Sequence, residues 1–205
     1  MNKYNPNIHH RRSIRLKGYD YSQAGLYFIT ICCQDRICRF GHIKGDEMML
    51  NEHGKIAYHE WVQLCNRFPN FELDVFQIMP NHIHGIIILN DVPVGAGFTP
   101  APESGQPQGF APTGQPQGVA PESGQPQGFA PTGVAPTISD IVGAYKSLVA
   151  NRCLEIYKTN NTTMGKLWQR NYWEHIIRNE KSYDNISEYI INNPAKWNGD
   201  KFYEL

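Results

Sequence analysis

Hydrophobic residues fall along this chain in short blocks whose spacing alternates between that of strands and that of helices. Leu26–Cys33 (LYFITICC), dense in aromatic and β-branched residues, reads as a buried strand. Ile37–Ile43 and Glu47–Leu50 are expected as short extra strands around the Lys44-Gly45-Asp46 turn. From His53 to Asn66 the apolar positions Ile56, Ala57, Trp61, Leu64 and Cys65 recur at helical spacing, and Pro69 closes the segment. Phe71–Met79 and His82–Leu89 are two strands parted only by Pro80-Asn81, which predicts an antiparallel hairpin. Farther on, Thr137-x-x-Asp140 is a capping pair that opens a helix through Lys158. Trp173–Ile177 is a short strand, and Asn179 caps a last helix through Asn192 that stops at Pro194. The order β, α, β, β, α, β, α predicts an α+β fold: a ferredoxin-like antiparallel sheet with helices packed on it, plus a C-terminal helix.

Between the two halves this pattern lapses. Residues 91–136 hold ten of the fourteen prolines and nine of the eighteen glycines, and Ala101–Gly114 (APESGQPQGFAPTG) recurs unchanged at Ala120–Gly133. Each copy offers one Phe and a few Ala, too little apolar surface to offset the entropy of ordering. A long disordered Pro/Gly-rich insertion, grown by tandem duplication, is the expectation. Loop-closure entropy rises only slowly with length, so one domain tolerates such an insertion. The expected organisation is an N-terminal arm at 1–24, the first part of a core at 25–90, the insertion at 91–136 and the second part of the core at 137–205.

Composition changes this picture little, since a 40% hydrophobic share is ample for a core. Charge changes it more. The totals balance at 19 bases and 19 acids, yet the first seventeen residues carry Lys3, Arg11, Arg12, Arg15 and Lys17 with no acid. The insertion has no Lys or Arg but includes Asp91, Glu103 and Glu122, so the rest of the chain is mildly basic. A nucleic-acid partner is admitted, though not demanded. No apolar run reaches membrane-spanning length, no signal-peptide pattern opens the chain, and the five cysteines include no C-x-x-C pair. The expectation is a cytoplasmic protein with no membrane partner, no disulfide framework and no structural zinc site.

The most pointed chemistry lies in Met79-Pro80-Asn81-His82-Ile83-His84-Gly85. Side chains two apart on a strand share a face, so His82 and His84 project together and can share one divalent cation if a third ligand approaches from elsewhere. Gly85 is expected to remove bulk beside them. Such a pair also arises by chance with its rings exposed, and the spacing alone leaves both readings open. On the last helix Ile186, Tyr189, Ile190 and Asn193 fall on one stripe, with the polar tips of Tyr189 and Asn193 four residues apart. An amide oxygen is a hard ligand suited to Mg²⁺ or Mn²⁺, and a phenol can act as a covalent nucleophile. A tyrosine on an amphipathic helix is, however, more often filler, and an asparagine before proline more often ends a helix.

Four blocks in order carry a further signal: Gly25-x-Tyr27-Phe28-Ile29-Thr30, then Met79-Pro80-Asn81-His82-Ile83-His84, then Leu167 to Arg178 (LWQRNYWEHIIR), then Tyr189-Ile190-Ile191-Asn192-Asn193-Pro194. Together they resemble the single-tyrosine HUH transposases, and in particular the REP-associated tyrosine transposase group. The resemblance spans nearly all of the chain except the insertion and the extreme termini. It implies an enzyme that cleaves and rejoins single-stranded or hairpin DNA through a 5′-phosphotyrosine intermediate, with a divalent metal ion, Mg²⁺ or Mn²⁺. It further implies that residues 25–90 and 137–205 form the HUH nuclease core. Carried onto this chain, His82 and His84 become metal ligands and Tyr189 the nucleophile. Asn193 takes the third-ligand place, where many relatives have Gln. Arg11, Arg12, Arg15 and Lys17 of the arm, with Arg170, Tyr172 and Arg178, are candidates for holding DNA, and Tyr172 and Trp173 for stacking on bases, although either suits the core equally well. Relatives of this kind include dimers that exchange the tyrosine helix and others that act alone, so a homodimer stays open.

Two other readings compete with the transposase. One is a domesticated DNA-hairpin-binding protein that no longer cleaves, against which stand the intact His82, His84 and Tyr189. The other is a small metal-binding hydrolase using the H-x-H, which leaves Tyr189 without a role.

Overall fold

The strand bearing the two histidines lies inside a four-stranded antiparallel sheet. The computed structural model describes residues 18–91, 135–200 and 202–203. Arg11, Arg12, Arg15 and Lys17 of the arm and positions 92–134 of the expected insertion lie outside the described residues. In chain order the elements are β1 (Gly25–Cys32), β2 (Gly41–Lys44), β3 (Glu47–Leu50), α1 (Glu52–Val62), α2 (Leu64–Arg67), β4 (Phe71–Ile78), β5 (His82–Leu89), α3 (Ile138–Thr159), β6 (Trp173–Ile177) and α4 (Glu180–Ile191). The sheet order is β4-β5-β1-β6, and every neighbouring pair is antiparallel. Leaving aside the small β2–β3 hairpin, the path β1-α1-β4-β5-α3-β6 with this order is the ferredoxin-like arrangement. Strand β6, which follows residues 92–134 in sequence, pairs with β1, which precedes them, so both sides of that stretch build one sheet.

Local signals set most boundaries. Thr137 caps α3 through a complete capping box with Asp140, and Asn179 caps α4 by accepting from the Ser182 N–H at 2.9 Å. Two expectations need correction. Residues 37–40 do not join β2, which starts at Gly41. The helix expected over 53–66 is divided at Gln63, whose backbone ends α1 and begins α2.

Helices cover both faces of the sheet. On one, Ile29, Ile31, Ile83, Ile87 and Leu89 meet Ala57 and Trp61 of α1 and Ile141, Tyr145 and Val149 of α3 in the main core. Full burial of such aliphatic side chains contributes about 1.5–3 kcal/mol each. Tyr145 fastens the two helices by donating to the Ala57 carbonyl at 2.9 Å. On the other face α4 seats Ile190 against Ile86 and Ile177, with Phe28, Val75, Ile186 and Tyr189 around them. A bulge between Leu73 and Phe76 interrupts the β4–β5 ladder, and there Asp74 accepts from the Tyr183 hydroxyl of α4 at 3.1 Å. Among the described residues no helix is long and apolar enough to cross a membrane.

Candidate active site

Strand periodicity sends His82 and His84 to the α4 face, and Ile83, Ile87 and Leu89 to the main core. Gly85 does not serve the histidines, as its position beside them had suggested. It lies on the opposite face, where an added Cβ would run into the Trp61 ring of α1 and crowd Phe76. The two imidazoles are fully buried, with Nε2 atoms 2.9 Å apart.

Each ring is held from behind. Asn81 donates its amide Nδ2 to the carbonyls of Arg36 (2.9 Å) and Phe202 (2.7 Å), which turns its Oδ1 toward His82 Nδ1 at 2.8 Å. That oxygen only accepts, so His82 carries its proton on Nδ1 and turns an unprotonated Nε2 toward His84 Nε2. His84 Nδ1 lies 2.8 Å from the Thr30 hydroxyl. A hydroxyl both donates and accepts, so Thr30 can serve either tautomer of His84. Aromatic rings complete the enclosure: Phe202 lies 4.6 Å and Trp197 5.9 Å from the His82 ring, and Phe28 lies 5.4 Å from that of His84.

Helix α4 and the turn after it bring the remaining groups. Tyr189 Oη lies 3.1 Å from His84 Nε2 and donates to Asp200 Oδ2 at 3.2 Å. Asn193 Nδ2 donates to the same carboxylate oxygen at 3.0 Å, while Asp200 Oδ1 accepts from the Phe202 N–H at 2.7 Å. Tyr189 and Asn193 therefore converge on one point, as their spacing had suggested, and a carboxylate occupies it. Burial first, and then the Asp200 charge, push the Tyr189 phenol up to about 12. The group stays protonated at neutral pH until something takes its proton.

The donor set suits a divalent cation. His82, His84 and Asp200 can offer ligand atoms all within 4.8 Å of one another. Asn193, 1% exposed, keeps a buried Oδ1 with no hydrogen-bond donor among the described residues. Two imidazole nitrogens, a carboxylate and an unpaired amide oxygen match the first-row and hard divalent ions that accept mixed N/O ligation. Asp200 was missed in the sequence because it stands seven residues past Asn193, beyond a short 3₁₀ turn (Trp197–Gly199), where no periodic pattern points inward. Asn81 and Thr30 stand in the motif blocks of the sequence, but nothing local to either marks it as a partner of a histidine ring.

The DNA-holding candidates are scattered. Arg170 and Arg178 are exposed at either end of β6. Tyr172 is half-buried against the main core on the face away from the histidines, with its hydroxyl 3.2 Å from Ser139 Oγ. Trp173, by contrast, is 55% exposed and shares the histidine face.

No protein-family model matches the chain. It is 41% identical over 208 residues to an uncharacterized protein of Haemophilus influenzae, covering 98% of this chain and 97% of that protein, and belongs to one family with it. A second Haemophilus influenzae relative, named "Putative REP-associated tyrosine transposase", is 24% identical over 178 residues, which span 86% of this chain and 74% of the relative. The fold matches a solved REP-associated tyrosine transposase bound to a REP hairpin, with a TM-score of 0.52 and 19% identity over 98% of this chain and 77% of that one.

Proposed function

We propose, for a chain that is REP-associated tyrosine transposase-like in sequence and fold, that it cleaves and rejoins single-stranded or hairpin DNA with Tyr189 as nucleophile. The observation that carries this reading is the 3.1 Å approach of Tyr189 Oη to His84 Nε2 inside the His82–His84–Asp200 cluster. In the reaction Tyr189 Oη forms a bond to a backbone phosphorus while the bond from that phosphorus to the 3′ oxygen breaks. The phenol proton passes to Asp200 Oδ2 and from there, through water, to the departing 3′ oxygen, which leaves as a hydroxyl. The 5′ phosphate stays on Tyr189 until a 3′ hydroxyl attacks it and reverses the exchange. One phosphoester replaces another at each step, so no nucleotide cofactor is consumed.

His82 and His84 would hold the ion, Mg²⁺ or Mn²⁺, with Asp200 in the third place and Asn193 Oδ1 as the other candidate for it. When bound, such an ion polarises a nonbridging phosphate oxygen and steadies the 3′ oxygen as it leaves. Asn81 and Thr30 position the imidazoles, Asn193 steadies Asp200, and Phe202 and Trp197 keep water from His82. Arg170 and Arg178 supply phosphate contacts.

The test uses labelled hairpins with single-stranded tails, taken from the flanks of the gene, incubated with Mg²⁺ or Mn²⁺ or with chelator. A protein–DNA adduct on a denaturing gel that needs the ion supports the reading. Binding without an adduct under any ion would instead identify a hairpin-binding protein that does not cut.

A further inference from the structure

We infer that Trp173 is a stacking platform for an unpaired base next to the cleavage site. The inference rests on the proposed function and specifies how its substrate is held. Its basis is a row of side chains across the sheet. His84 pairs with Thr30 and Thr30 pairs with Trp173, and directly paired residues of antiparallel strands share a face. Trp173 therefore stands two strand spacings from His84, about 10 Å, on the side of the sheet that carries Tyr189. Exposure climbs along this row from 0% at His84 and 3% at Thr30 to 55% at Trp173. The indole is thus the open rim of an otherwise covered site.

Its neighbours suit a nucleic-acid strand. The next row, Ile86–Phe28–His175, puts an exposed imidazole beside the indole, and the Phe28 ring meets that of Tyr189 edge-on at 6.3 Å. Exposed Arg170 and Arg178 bracket the strand. Cations that track phosphates around an aromatic face are the combination that binds single strands, because every unpaired base offers a π-face whatever its identity. Inside a duplex each base has both faces covered by its neighbours, whereas an unpaired base in a tail has a face free to stack.

Tryptophan emission reads this out directly. The other three tryptophans, Trp61, Trp168 and Trp197, are 1%, 9% and 7% exposed, so a stacked base quenches Trp173 selectively. Full-length Tyr189→Phe protein, which cannot form an adduct in the proposed mechanism, is titrated with a tailed hairpin and with the same hairpin carrying abasic sites throughout its tail. We expect quenching with the first probe only. Trp173→Ala should bind the intact tail about 5- to 150-fold more weakly, Trp173→Phe should stay within a few-fold, and the abasic tail should erase the difference between them. Equal affinity of Trp173→Ala and its parent for the intact tail overturns the inference. So does quenching that grows with protein concentration without DNA while the sedimenting mass doubles, which would seat a second copy on this face. Adduct formation by the protein with Tyr189 intact, run in parallel, keeps the two readings apart. Its presence alongside unaltered binding by Trp173→Ala removes the platform and leaves the proposed function. Its absence alongside tail-dependent quenching removes the proposed function and leaves the platform.

Discussion

Alternate residues of β5 enter two unlike environments. Ile83, Ile87 and Leu89 point into a core shared with α1 and α3, where contacts are apolar and many residues share the load. His82 and His84 point the other way, into a pocket where named partners decide each ring: Asn81 for His82, Thr30 for His84, with Tyr189 and Asp200 beyond. Losing one methyl group from the first face costs about 0.5–1.5 kcal/mol of stability and leaves the polar groups in place. The second loses orientation when one hydroxyl or amide is removed, because the polar groups there are buried and each has few alternatives. Stability and chemistry are thus separated by the pleat of one strand, which lets substitutions test them independently.

The largest effect is expected at Tyr189. Tyr189→Phe removes a hydroxyl that bonds Asp200 and faces His84, while its ring keeps the contact with Phe28. Adduct formation should vanish on a denaturing gel, with folding stability changed by no more than about 1.5 kcal/mol. An adduct that persists would move the nucleophile elsewhere, although Tyr183 is engaged with Asp74 and Tyr172 lies on the opposite face.

Next come the groups behind and beside the imidazoles. Thr30→Val keeps the shape and deletes the partner of His84 Nδ1. Calorimetric titration of the DNA-free protein with Mn²⁺ should show about 10- to 100-fold weaker binding, the usual consequence of removing a ligand's outer hydrogen bond. In the same titration Asp200→Ala should weaken Mn²⁺ more than Asn193→Ala does, since a carboxylate carries charge that an amide lacks. The reverse ranking would give the third place to Asn193.

How far the sequence foretold these two faces differs for the same physical reason. The main core and its helices announce themselves locally, through the periodic Ile56–Ala57–Trp61 pattern, the Thr137–Asp140 box and the Asn179 cap. Strand and helix periods put the histidine pair on one face and Tyr189 on one stripe with Asn193, and the four-block resemblance is what singles them out. Asp200 is marked by neither, because it arrives on a short irregular tail whose path depends on Trp197 and Phe202 packing near Cys32 and Met79. Asn81 looks like any turn asparagine until the carbonyls of Arg36 and Phe202, far away in sequence, fix its amide. Gly85 follows His84 directly in sequence, which suggests that it clears space for the histidines, but the space it clears is that of the Trp61 ring on the other face.

The contact between Gly85 and Trp61 yields a test of the core face. Gly85→Ala should push a methyl group into the Trp61 ring and against Phe76, and overpacking of this kind costs about 1–3 kcal/mol. Urea unfolding should report the loss, while Mn²⁺ affinity of the folded protein stays close to that of its parent. A fall in affinity as large as that of Thr30→Val would mean that the two faces are coupled through the backbone of β5.

The smallest effect probes α3 at its start. Thr137 accepts from the Asp140 N–H at 3.3 Å, and Asp140 Oδ2 accepts in return from the Thr137 N–H at 2.9 Å. Thr137→Ala removes the side-chain half of that exchange and should lower stability by about 1 kcal/mol. Helix α3 contributes Ile138, Ile141 and Tyr145 to the main core and nothing to the histidine pocket described above, so metal binding and adduct yield should be untouched at temperatures where the protein stays folded. If adduct yield fell instead in step with the lost stability, the pocket would draw its order from the far side of the sheet, and the separation between the faces would hold for side chains alone.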